Sequence, residues 1–93
     1  MTEFAISKAG HDKGQIYCII ERCENSVFLA NGTTKSIEHP KKKREKHIQV
    51  IRHLPEEIVA QCLNSQGVYC DLGIKRALKL YLAQEKEAVS TKR

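Results

Sequence analysis

Lys8-Ala-Gly-His-Asp-Lys-Gly14 sits between two short apolar runs, Phe4-Ala-Ile6 and Ile16-Tyr-Cys-Ile-Ile20, near the start of a 93-residue chain. Gly10 and Gly14 let a loop turn sharply and bring its backbone close to another group. The flanking runs are rich in β-branched and aromatic residues, so the unit reads as strand, charged loop, strand. Lys8 and Lys13 put positive charge at either end of the loop.

Outward from that unit, Ile16 to Cys23 is a strand that ends in a turn at Glu24-Asn25-Ser26, and Val27 to Ala30 is its hairpin partner. Asn31-Gly32 predicts a two-residue turn, since both residues tolerate positive φ. Thr33 to Glu38 alternates in polarity and predicts a fourth strand. His39-Pro40 ends it, because proline cannot donate to a ladder. Lys41 to Lys46 reads as a solvated basic loop, and His47 to Arg52 as a fifth strand. Five short strands with tight turns suggest a small barrel, which removes most exposed sheet edges.

The pattern changes at Leu54-Pro55. Proline followed by Glu56-Glu57 starts a helix, with the acids at the positive end of its dipole. Ile58, Val59, Cys62 and Leu63 form its apolar stripe. After a break containing Gly67, Asp71 caps a second helix with Ile74, Ala77, Leu78, Tyr81 and Leu82 on one face. That stripe predicts a face docked on the protein's own core. The polar tail from Gln84 is expected to fray. The chain thus divides into a barrel over residues 1–54 and a two-helix C-terminal extension over 55–93. The fold class is mainly β with an α-helical extension.

Charge is unevenly placed. Lys8 to His53 holds ten Lys or Arg against five acids, whereas Leu54 to Arg93 holds six against five. A basic surface favours anionic partners. There is no Trp and aromatics are 5%, which argues against a broad base-stacking platform. The start of the chain has no apolar leader, and no apolar run approaches the ~20 residues of a membrane span. A cytoplasmic protein with reduced thiols is expected. Cys18, Cys23, Cys62 and Cys70 lack the close pairs of a zinc site and read as small core thiols. His39, His47 and His53 have no Cys or acidic partner at ligand spacing, and adjacent residues such as His11 and Asp12 would face opposite ways in extended backbone. No nucleophile, base and orienter can be assembled, so neither enzyme activity, cofactor, metal nor small-molecule substrate is expected.

The stretch Ile6-Ser-Lys-Ala-Gly-His-Asp-Lys-Gly-Gln-Ile16, with Asn31-Gly32 and the run His39 to His47, resembles the KOW motif of small bacterial RNA-binding proteins related to KOW-containing large-subunit ribosomal proteins of archaea and eukaryotes. The match spans roughly residues 4 to 53. The resemblance implies an SH3-like five-stranded barrel, ribosome-associated RNA binding in translation, and no catalysis. Gly14 is the glycine of the motif and Lys13 the basic residue before it; Lys8, Gly10 and Asp12 complete the loop. His11 departs from the pattern, standing where arginine is common, which makes that contact weaker and pH-dependent.

The expected RNA-binding residues are Lys8, His11, Lys13, Lys35, Lys41, Lys42, Lys43, Arg44, Lys46 and His47, with Gly10, Gly14 and Gly32 shaping loops. Like charges packed as densely as Lys41 to Lys46 gain most when a polyanion neutralises them. Ribosomal RNA of the large subunit is the expected partner, with ribosomal proteins beside it and no membrane. The alternative is a protein-interaction adaptor of the translation or transcription machinery, using the barrel face or the C-terminal helix.

Overall fold

The structure, a computed structural model, describes residues 2–91, with side chains described as far as Glu85. Five strands precede two helices: β1 (Glu3–Ser7), β2 (Ile16–Cys23), β3 (Ser26–Ala30), β4 (Lys41–Arg44), β5 (Ile48–Ile51), α1 (Glu56–Cys62) and α2 (Asp71–Thr91). One 3₁₀ turn, Glu45–His47, links β4 to β5. The strands form a single antiparallel sheet in the order β4-β3-β2-β1-β5. It curls into a half-barrel, helped by a register shift between Ile19 and Glu21 in the long strand β2.

Strand alternation gives the sheet two apolar faces. Ala5, Tyr17, Ile19, Val27, Leu29 and Ile48 pack together in one cluster. Phe4, Cys18 and Ala30 join Ile58 and Cys62 of α1 and Ile74, Ala77 and Leu78 of α2 in the other. The Phe4 ring meets Tyr81 edge to face at 5.6 Å. Ile74, Ala77 and Leu78 of the helical stripe are therefore buried against the chain's own sheet with Tyr81 partly buried beside them, whereas Leu82, expected on the same face, is exposed. Cys18 and Cys62 are buried in this core and Cys70 is half-buried, but Cys23, expected to be a core thiol, is exposed at the end of β2, where the strand has left the core. The neighbouring Cys62 thiol and burial together push the Cys18 thiol up.

Two expectations are corrected. Thr33 to Glu38 is not a strand, and Lys41 to Arg44 is not a loop. Asn31 explains the first. Its Oδ1 accepts hydrogen bonds from the Thr33 and Lys35 amides at 3.0 and 2.9 Å, and its own amide donates to the Lys35 carbonyl. A side chain that satisfies the local backbone this way competes with a ladder. Asn31-Gly32 consequently opens a long connection over residues 31–40 instead of a two-residue hairpin. That connection is pinned to α2, because the Ile37 amide donates to Asp71 Oδ1 at 2.9 Å. Gly32, at φ +78°, lies so close that an added Cβ would run into the Asp71 carbonyl and come within 2.9 Å of the Lys75 amide.

Strand β4 explains the second. Lysine is a poor strand former, but β4 is a sheet edge, where lysines blunt pairing with other chains. The polar tail from Gln84, expected to fray, instead continues α2 as far as Thr91, and Lys92 and Arg93 lie outside the described residues.

The β2–β3 hairpin closes through a two-residue turn, since Cys23 pairs with Ser26. Glu24 occupies its first central position at φ +53°. Left-handed backbone costs a side-chain-bearing residue about 1–2 kcal/mol, and glycine is the usual occupant.

Candidate nucleic-acid interface

The 8–14 loop leaves β1 and returns into β2 with its backbone closed on itself. The Gly14 amide donates to the Ser7 carbonyl at 2.8 Å and the Gln15 amide to the Asp12 carbonyl at 2.9 Å. Gly10 and Gly14 sit at φ +87° and +90°. The loop is also joined to the other end of the sheet, where the Lys8 amide donates to the His47 carbonyl at 2.8 Å.

Asp12 is the centre of this region. Its carboxylate accepts from the Ser7 hydroxyl at 2.9 Å and the Tyr17 hydroxyl at 2.8 Å. Lys43 Nζ reaches it at 2.6 Å and Lys41 Nζ at 3.2 Å. Lys43 donates in addition to the Ala9 carbonyl at 2.8 Å. Burial alone raises the Asp12 carboxyl, but the hydrogen bonds from Lys43, Tyr17, Ser7 and Lys41 outweigh it and hold the group well below the usual carboxylate range. Burial and the Asp12 carboxylate push the Tyr17 hydroxyl up to about 12.

The register dictates which lysines can do this. Lys41 and Lys43 stand opposite Leu29 and Val27, which belong to the cluster that holds no helix residue. Lys42 and Arg44 stand opposite Phe28 and Ser26 on the other face. Lys42 Nζ lies 5.9 Å from the Phe28 ring centroid, and both Lys42 and Arg44 are exposed.

A second ionic network takes two more cations out of play. Arg22 binds Glu3 at 2.6 Å and Glu45 at 3.2 Å, and Arg52 binds Glu3 at 3.1 Å. The Arg22 hydrogen bond holds the Glu3 carboxyl below its ordinary value against the opposing effect of burial. These bridges tie the end of β2 to β1, to the 3₁₀ turn and to the end of β5.

The expected site residues thus separate into groups. Lys8, His11 and Lys13 are exposed on the loop, and Lys42, Arg44 and Lys46 on β4 and the following turn. His47 is half-buried and contributes its carbonyl to the loop. Lys41 and Lys43 hold Asp12. Lys35 belongs to the 31–35 turn, where its carbonyl accepts from Asn31 and Gly32, and among the described residues no hydrogen bond joins it to the loop or to β4. Among the described residues, Lys8, Lys13, Lys42, Arg44 and Lys46 make no ion pair.

The sequence reading missed Ser7, Tyr17 and the role of Asp12. A signal was present: one acid within a basic loop, with hydroxyl-bearing residues five positions before and five after it. Among the described residues no cluster of three or more His, Cys, Asp or Glu is placed to hold a metal ion. No described helix is long and apolar enough to cross a membrane.

In comparisons with known proteins, no protein-family model and no curated protein matches this chain.

Proposed function

We propose that the protein is a non-catalytic, cytoplasmic RNA-binding module that docks on structured RNA, with ribosomal RNA as its target. The observation that carries this reading is the joining of two basic segments, the 8–14 loop and β4, through Asp12. Cations on a rigid frame lose less conformational freedom when they meet phosphates than cations on a floppy loop. An SH3-like barrel of the KOW type is the finer fold reading. The sheet order and the 3₁₀ turn between the last two strands support it.

The mechanism is phosphate docking by Lys8, Lys13, Lys42, Arg44 and Lys46, with His11 as a further contact. Phosphate contacts position a protein but carry little sequence information. If about five phosphates are neutralised, log affinity falls against log salt with a slope of roughly −3.5 to −4.5. A titration against a ribosomal RNA fragment that shows no salt dependence overturns the mechanism.

A second reading, a protein-interaction adaptor, has one observation in its favour. An open groove of about 980 Å³ lies beside α1, walled by Leu54, Pro55, Val59 and Ala60. Most of the helical stripe once available to that reading, Ile74, Ala77 and Leu78, is buried in the core, and of that stripe Leu82 is left exposed. Nuclease treatment of a pull-down separates the two: partners lost with the RNA favour RNA binding, and partners retained favour the adaptor.

A further inference from the structure

Two adjoining clefts, of about 370 and 500 Å³, flank Arg44 where the β2–β3 turn faces β4 and the 3₁₀ turn. They share Glu24, Asn25 and Arg44, and add Ser26, Lys42 and Lys43 on one side and Glu45 and Lys46 on the other. Their volumes fall in the range of small-ligand pockets, roughly 300–1,000 Å³. The floor is fixed, because the Glu45 amide donates to the Asn25 carbonyl at 2.8 Å. Glu45 itself is held by Arg22. Among the described residues, the side chains of Glu24, Asn25, Ser26, Arg44 and Lys46 make no hydrogen bond or ion pair.

This donor and acceptor set does not suit phosphate alone. An unengaged carboxylate in the middle of a phosphate-binding surface repels the ligand. Glu24 moreover holds a backbone conformation that glycine adopts without strain. Together these features fit a whole nucleotide. Lys42 and Lys46 meet the flanking phosphates. Arg44 keeps its charge beside the phosphates while the flat face of its guanidinium stacks on the base. The Glu24 carboxylate and the Asn25 amide meet the base edge, as acidic and amide side chains do in direct readout.

We propose that this cleft binds one unpaired nucleotide of the RNA, with guanine as the preferred base. Its N1–H and N2–H groups both donate, which matches the two oxygens of a carboxylate. An unpaired base is required because the edges of paired bases in RNA duplexes are poorly accessible to side chains. This inference rests on the RNA-binding reading and narrows its substrate to RNA carrying a bulged or looped-out guanosine.

The test is fluorescence anisotropy on the full chain with three RNA hairpins that share one stem: uninterrupted, with a single bulged guanosine, and with a single bulged adenosine. The guanosine bulge should bind about tenfold tighter than the other two, the discrimination of one bidentate base contact. Glu24→Gly relieves the left-handed strain, so its melting temperature should rise. It should bind the uninterrupted stem at least as tightly as the wild type, since a repelling carboxylate is gone, and lose the guanosine preference. Equal affinity of the wild-type protein for all three RNAs overturns the nucleotide site and leaves RNA binding standing. A Glu24→Gly variant that retains the preference removes Glu24 as the reading residue and overturns the site as described. Binding to none of the three overturns both this site and the proposed function.

Discussion

The ammonium group of Lys43 lies 2.6 Å from Oδ1 of Asp12, and both side chains are about nine-tenths buried, at 10% and 11% exposure. The contact spans a loop and a strand thirty-one residues apart in sequence. It converts a glycine loop and a lysine run, each commonplace alone, into one frame. Tyr17 and Ser7 complete the shell around the carboxylate, so its charge is met on several sides. Removing one partner of such a cluster leaves the others buried and unmatched, which weighs more than the loss of a surface ion pair.

Asp12→Ala should therefore lower the unfolding free energy by about 3 kcal/mol. A shift of the denaturant midpoint at constant slope is the measurement. A change below about 0.5 kcal/mol, the range of ordinary surface substitutions, would mean that the loop does not depend on this carboxylate.

Acid should loosen the same joint. The Asp12 carboxyl is held low in the folded protein, so it favours folding when ionised. That contribution is present above the unfolded carboxylate pKa of about 3.9 and is lost as pH falls through it toward the lower folded value. Glu3, also held low, acts with the same sign. Tyr17 acts oppositely: pushed up to about 12, its protonated form stabilises the fold below about pH 10, and that contribution is lost as pH rises toward 12. Melting temperatures of the wild type and Asp12→Asn, compared from neutral pH down to about pH 2, should differ by a constant amount above about pH 4 and draw together below it. A difference that stays constant below about pH 4 as well rules out the titration of Asp12 as the cause.

Alternation along β4 separates binding from stability. Lys42→Glu with Arg44→Glu reverses two outward charges that carry no ion pair, so RNA affinity should drop by at least tenfold, about 1.4 kcal/mol, with little change in melting temperature. Lys43→Met should do the reverse, costing stability because Asp12 loses its closest cation. Co-sedimentation with ribosomes and thermal melts of the two variants check the split. Similar behaviour of the two would mean that the run acts as an undifferentiated basic patch.

Much of this architecture is legible in the chain because hydrophobic periodicity and turn chemistry are local signals. Strands β1, β2, β3 and β5 follow from β-branched runs, and the two helices from Pro55-Glu56-Glu57 and the Ile74 to Leu82 spacing. The failures share one cause. Whether Lys41–Arg44 pairs with β3 depends on an edge position and on a carboxylate in a distant loop, and neither is visible in a window of neighbouring residues. Thr33 to Glu38 alternates like a strand, yet Asn31 folds the chain before a ladder forms. For the candidate site, the charges were legible and their pairing was not. The run Lys41 to Lys46 looks uniform in sequence, whereas the sheet sends alternate lysines to opposite faces.

Gly14 and Gly32 test that distinction between local and distant constraint. Both lie at positive φ, +90° and +78°. An alanine at either position carries the backbone strain, about 1–2 kcal/mol. At Gly14 an added Cβ meets nothing within 4 Å, so Gly14→Ala should cost only that amount. At Gly32 the Cβ would collide with the backbone of α2 at Asp71 and Lys75, which cannot retreat without opening the core around Ile74. Gly32→Ala should therefore cost clearly more, about 3 kcal/mol or above, because a backbone clash adds to the strain. Equilibrium denaturation of the two variants side by side gives the comparison. Equal losses would show that the 31–40 connection yields freely and that its contact with α2 does not constrain the fold.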